Sequence, residues 1–204
     1  MNLHPNCCTA DQLSAAERQR ILELADAHRQ ADRAFAHWAA GYGVIRHDPL
    51  TQLRVRQMVD ELVALGRTPN TGTAWQRLAA ADRVASAGMW LVAHMTYSQR
   101  VRTDGAALEV DDFKLTPEGH TGGSLNMVPA YAGYLLMDAL DGVTRAWMMG
   151  QGHCVAAIDA LNVLVGNMTD RHAERYDRSD AGLSRFVGDF YAYMPQHAYL
   201  YVPS

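Results

Sequence analysis

The chain has 204 residues, 49% hydrophobic and 20% charged, with a net charge of −4; that length allows one domain with a real core or two small ones. No Lys/Arg block exceeds a few residues, so the basic surface that neutralises nucleic-acid phosphates is not expected, and no apolar run is long enough to span a bilayer. Residues 1–10 lack the charged and apolar segments of a secretory signal, and three cysteines, Cys7, Cys8 and Cys154, do not suggest a disulfide framework; a cytoplasmic protein is the expectation.

Residues 1–13 read as a loose arm. His4, Cys7 and Cys8 are soft-metal donors, but without a second cluster they lack a structural zinc spacing, and a terminal tail is the preferred reading. Ser14 with Glu17 three positions on is a capping-box signature. Ile21, Leu24, His28, Ala31, Phe35, Trp38 and Tyr42 then recur at spacings of three and four, which predicts one long amphipathic helix ending near residues 41–43. His28 and His37 share no face with a Cys or carboxylate at ligand spacing, so they read as packed or exposed. Asp48-Pro49 opens the next helix as cap and first-turn proline. Val55, Val59 and Leu62 form its inner stripe, and Gly66 stops it. After a linker at 67–72, a third helix is predicted over about 73–97, apolar on most sides from Val84. Gly88 within it either lets another backbone approach closely or bends the helix, and His94 reads as a buried neutral imidazole.

Residues 98–118 are polar and irregular, with a turn signal at Asp104-Gly105. Residues 108–115 suit a short strand or an extended loop, in which Asp111 and Asp112 point to opposite faces and are solvated. Four of the seven residues 117–123 are Gly or Pro, which predicts a loop whose backbone can approach a ligand. A helix pattern starts at Ser124, with Pro129 tolerable only in its first turns, and Asp141-Gly142 ends it. Residues 145–149, flanked by Gly142 and Gly150, suit a buried parallel strand. The loop 150–153 follows, then a helix from Cys154 with Val155, Ile158, Leu161 and Val165 inward and Gly166 as terminator. Two short helices close the pattern, one capped by Thr169 or Asp170, the other by Ser179 or Asp180. Two Gly-His pairs, Gly119-His120 and Gly152-His153, thus each stand ahead of a helix. Helix starts favour anionic groups, and open α/β sheets collect ligands at their strand ends.

The segment Gly119-His120-x-Gly122-x-x-Leu125-x-Met127-x-Pro129-Ala130 resembles the first thiamine-diphosphate-domain motif of transketolases, and phosphoketolases carry a related Gly-His-x-Gly. Gly152-His153-x-Val155-Ala156, followed by Leu161, Leu164, Gly166 and Asn167, resembles the second motif, where a strand delivers a Gly-His into a helix. Residues 82–193 look most like a phosphoketolase-like branch, some of whose members are named xylulose 5-phosphate 3-epimerases. The resemblance implies an α/β, helix-rich fold. Its core is a partial thiamine-diphosphate-binding domain over 71–193, with few parallel strands flanked by helices. A helical N-terminal region over 1–70 precedes it, and a tail at 194–204 lies outside the family pattern. It also implies an enzyme acting on ketose phosphates such as xylulose 5-phosphate or fructose 6-phosphate. His120 would then reach the reacting part of the sugar phosphate beside the thiazolium ring and His153 would lie near the diphosphate and the substrate, both catalytic by hydrogen bonding or shuttling protons, and Gly119, Gly152 and His153 bind the cofactor. Thiamine diphosphate and Mg²⁺ are the cofactors of the full-length family, and a sugar phosphate is its substrate.

The departures are equally specific. The Gly-Asp-Gly and Asn that bind the Mg²⁺-diphosphate are absent; Gly188-Asp189-Phe190 is not that motif. A further Gly-His element and the second domain, with its activating Glu, are also missing. No metal ligand is therefore assigned, since Mg²⁺ needs oxygen donors. The expectation is a truncated or frameshifted leading part, inactive alone, that associates as a homodimer or through an exposed sheet edge. Two other readings stand beside this one: a non-catalytic helical binding or interaction module, and Gly-His pairs that are only turn-and-cap features.

Overall fold

Capping side chains set where most of the helices begin. The computed structural model describes residues 12–117, 119–146, 148, 150 and 152–190. They form α1 (Ala15–Ala31), α2 (Arg33–Ala39), α3 (Pro49–Ala64), α4 (Thr71–Tyr97), α5 (Thr121–Asp141), α6 (Val155–Val165), α7 (Asp170–Arg175) and α8 (Asp180–Asp189). Ser14 and Glu17 form the reciprocal capping box of α1. Asp48 accepts from the Leu50 and Thr51 amides, with Pro49 in the first turn of α3. Of the alternatives at the later helices, Thr169 and Ser179 are the caps, accepting from His172 and Gly182. Each such cap is worth about 1 kcal/mol.

The single long helix expected over residues 14–43 is two helices. Asp32 leaves the helical conformation, at φ −130° and ψ 105°, and its carboxylate accepts from the Ala34 and Phe35 amides. The break resets the apolar stripe. Ile21 and Ala25 pack with Leu50 and Leu53, while Phe35, Trp38 and Ala39 join a second cluster. Leu24 and Tyr42, read as part of one continuous face, are exposed.

The α/β expectation is also corrected. Among the described residues there is no strand and no sheet, only isolated bridges at Tyr42–Ile45 and Ser98–Phe113. Arg145, Ala146 and Met148 belong to no strand, and Met148 is 91% exposed; Trp147 and Met149 lie outside the described residues. The Ala146 carbonyl accepts instead from the Tyr134 hydroxyl. A buried parallel strand needs neighbours and covered faces, and a five-residue segment with an apolar core carries neither by itself. The expected sheet edge, as a surface for association, goes with it. Residues 108–115 are likewise no strand: Val110–Asp112 is a 3-10 turn. Asp112 is buried rather than solvated. Its carboxylate accepts from the Glu109 amide at 3.0 Å and pairs with Arg100 and Arg102 at 3.2 and 3.1 Å. The Glu109 amide bond, helped by the two guanidinium groups, holds its pKa below the ordinary value. His4, Cys7, Cys8 and the tail 194–204 lie outside the described residues.

Two compact units divide the chain, one of residues up to 83 with 135–144, the other of 84–134 with residues from 145 on. In the first, Trp75 of α4 meets Phe35 and Trp38 of α2 at ring-centroid distances of 5.1 and 5.3 Å. Trp38 also stacks on His47, whose Nε2 lies 2.8 Å from an Asp82 carboxylate oxygen. In the second, Gly88 of α4 is buried between α5 and α6. A Cβ there would lie 2.9 Å from Leu161 Cδ2 and 3.0 Å from Val128 Cγ1. Close approach of two side chains, rather than of another backbone or a bend, is therefore what this glycine provides, and α4 runs unbroken through it. Less than one turn further along both helices, the Tyr131 hydroxyl donates to Asn162 Oδ1 at 3.0 Å. No helix among the described residues is long and apolar enough to cross a membrane.

Replacing Gly88 by leucine tests this packing. Overfilling a packed core costs about 1–3 kcal/mol, so Gly88→Leu should melt several degrees below the parent in calorimetry. An unchanged melting temperature would mean that the three helices do not meet at this residue.

Candidate functional site

The site is built where α5 and α6 begin. Gly119 takes a φ of 112°, a conformation open to glycine and strained for other residues, and turns the chain into His120. The carbonyl of His120 then accepts from the Ser124 amide at 3.1 Å, and its Nδ1 accepts from the Gly123 amide at 2.9 Å. His120 thus caps α5 with its own ring. With Nδ1 accepting, the neutral imidazole carries its proton on Nε2.

Helix α5 starts at Thr121, so residues 121–123, expected as loop, are its first turn. The glycine at 123 has another role. A Cβ there would fall 2.5 Å from His120 Nδ1 and 2.7 Å from Cys154 Sγ. Pro129 lies well inside α5, beyond the first turns where it was expected, and the helix continues past it.

On the other side, Gly152–Cys154 forms a 3-10 turn that leads into α6. Cys154 occupies the cap position, makes no side-chain capping bond and is buried. His153 and His120 meet with ring centroids 4.6 Å apart and planes at 76°. One ligating atom from each of His120, His153 and Cys154 lies within 4.8 Å of the other two; both rings are exposed and the thiol is buried. The structure therefore brings together the two histidines singled out in the sequence. It adds a thiol that sequence reading took only as the start of a helix. Its signal was present in the Gly-His-Cys order just before an apolar helical run. Gly152 lies in the turn itself, with open space where a Cβ would project.

No Asp or Glu joins this group among the described residues. Asp189, beside the place where a magnesium motif was sought, is occupied: its Oδ2 accepts from Arg175 at 2.5 and 3.0 Å and from the Tyr176 hydroxyl at 2.9 Å. Electrostatically the site faces two helix starts. Each carries roughly half a positive charge from aligned peptide dipoles, which favours an anionic ligand.

Comparison of the chain with protein-family models, curated proteins and solved structures finds no match.

A second polar group was missed altogether. Asp159 sits in the apolar helix α6 and is 4% exposed; its Oδ1 has no hydrogen-bond partner. It lines a small recess with Val163, Met168, His172 and Phe186. Burial pushes its pKa up from 3.8 to about 7, because a carboxylate without partners is costly away from water. In the unfolded chain the group ionises near pH 4. Stability should therefore fall as pH rises from about 4 to about 7 and then level off, a loss of a few kcal/mol. Asp159→Asn should abolish that slope, equalling the parent near pH 4 and exceeding it at pH 7.5 in denaturant midpoint. Parallel pH profiles for the two proteins would show that the carboxylate is hydrated.

Proposed function

We propose that this chain contributes substrate-handling imidazoles to a thiamine-diphosphate-dependent enzyme of the transketolase and phosphoketolase kind. Its substrates would be ketose phosphates, such as xylulose 5-phosphate or fructose 6-phosphate. The supporting observation is the meeting of His120 and His153, with ring centroids 4.6 Å apart. Each belongs to one of two motifs that resemble that family in order and spacing. Two exposed imidazoles can donate hydrogen bonds to sugar oxygens and move a proton between them. The adjoining helix starts suit the phosphate.

The Mg²⁺-diphosphate of the cofactor does not fit the residues beside these rings. Two imidazoles and a thiol are poor ligands for a hard cation that prefers oxygen, and no carboxylate stands with them among the described residues. No step is therefore derived through the cofactor. A second reading, a non-catalytic helical binding module, is favoured by the absence of strands among the described residues.

Titration calorimetry separates the two readings. Fructose 6-phosphate should bind the full chain, and His120→Ala or His153→Ala should each weaken it several-fold, up to about tenfold, the loss expected for one neutral hydrogen bond. Equal binding by all three proteins, or no binding by a folded parent, would sink the ketose-phosphate assignment and leave the helical module.

A further inference from the structure

We infer that His120, His153 and Cys154 form a site for a soft divalent transition metal, Zn²⁺ in the first place, at the shared start of α5 and α6. The inference uses the same imidazoles as the ketose-phosphate reading but does not depend on it. The donor set carries it: two imidazoles and one thiol, with ligating atoms within 4.8 Å of one another and no carboxylate in the group. Nitrogen and sulfur select zinc-like ions and exclude Mg²⁺ and Ca²⁺. Zinc bonds of about 2.0–2.3 Å in a tetrahedron place neighbouring ligand atoms roughly 3.3–3.8 Å apart. The present group therefore has to close by about 1 Å, which side-chain rotation supplies.

Gly123 keeps the space between two of the ligands open. The position of its absent Cβ is 2.5 Å from His120 Nδ1 and 2.7 Å from Cys154 Sγ, so those two atoms flank one point. Cys154 is committed neither to a helix cap nor to a disulfide. The Gly123 amide bond to His120 Nδ1, 2.9 Å long, is what a metal has to displace from that lone pair. Both rings are exposed, so three protein ligands leave a fourth position for water or an anion, the pattern of an open zinc site. Binding releases the thiol proton, because thiolate is the ligand form.

The experiment titrates the reduced full-length chain with Co²⁺ and then Zn²⁺, without sugar phosphate, so its result is separate from the ketose-phosphate test. A Cys7→Ser/Cys8→Ser background removes the other thiols. Expected are the visible bands of four-coordinate Co²⁺ and a near-ultraviolet thiolate-to-cobalt charge-transfer band, saturating at one equivalent and bleached by Zn²⁺. Cys154→Ser should abolish the charge-transfer band. His120→Ala and His153→Ala should each weaken binding by at least about a hundredfold, and Gly123→Ala should weaken it with helix content unchanged by circular dichroism. Should a variant fail to fold, alkylation of Cys154 in the parent background decides: Zn²⁺ should protect the thiol. No charge-transfer band in the parent, a band that survives Cys154→Ser, or an alkylation rate indifferent to Zn²⁺ would each overturn the site.

Discussion

Everything at the candidate site depends on α5 and α6 lying side by side and pointing the same way. Four contacts define that relation. They are His120 with His153, Gly123 with Cys154, Val128 and Leu161 around Gly88, and Tyr131 with Asn162. In each, the two positions on or just before α5 and α6 are 31 or 33 residues apart, so the helices keep nearly one register along their contact. Gly88 is what permits the third helix to close over them, because even a methyl group there would touch both Leu161 and Val128. Hydrophobic packing, with Val128 and Leu161 almost fully buried, supplies the energy; leucine-sized burial contributes about 1.5–3 kcal/mol each.

Parallel neighbours have an electrostatic consequence. Antiparallel helices place opposite dipole ends together, whereas parallel ones put two positive ends at one place. The unfavourable term is small, a fraction of a kcal/mol at an exposed end, and packing outweighs it. The result is a surface that suits an anion by its field and a soft metal by its side chains. The two demands are comparable in sign but not in size. Dipole terms are worth about 0.3–1 kcal/mol each, a small part of what direct coordination of a transition-metal ion contributes. At the proposed metal site, coordination would therefore outweigh the dipole field when a soft ion is present, and the helix ends would set only how strongly an anion is held.

What the sequence made legible follows from which interactions are local. Helix starts at Ser14, Asp48, Thr169 and Ser179 were readable because a cap acts within three residues. The two Gly-His pairs were readable as motifs. The break at Asp32 was not, because a carboxylate that caps a new helix looks, in sequence, like a polar residue on an amphipathic one. Residues 145–149 read as a strand because apolar composition is local, whereas a strand exists only with a partner. Asp112 was taken as solvated because its partners, Arg100 and Arg102, reach it only through a turn. Cys154 and Asp159 were missed for the same reason: a thiol becomes a donor, and an acid becomes strained, through neighbours on other elements.

Gly123 shows how one residue can be read correctly in type and wrongly in cause. Glycine after Gly-His looked like loop punctuation, yet it lies within the first turn of α5, and glycine in a helix loses more backbone freedom than alanine. That penalty is offset by what the missing methyl admits, an imidazole and a thiol within 2.7 Å of its position. The same residue also fixes the His120 proton. Its amide occupies Nδ1, so the ring turns a donor, Nε2–H, outward. A sugar oxygen of the proposed substrate would meet that ring ready-made, since it needs a donor. A metal needs a lone pair, and can have Nδ1 only by breaking the capping bond. If both proposals hold, the two occupants would therefore compete for one ring through its two nitrogens, and each would hold the start of α5 differently.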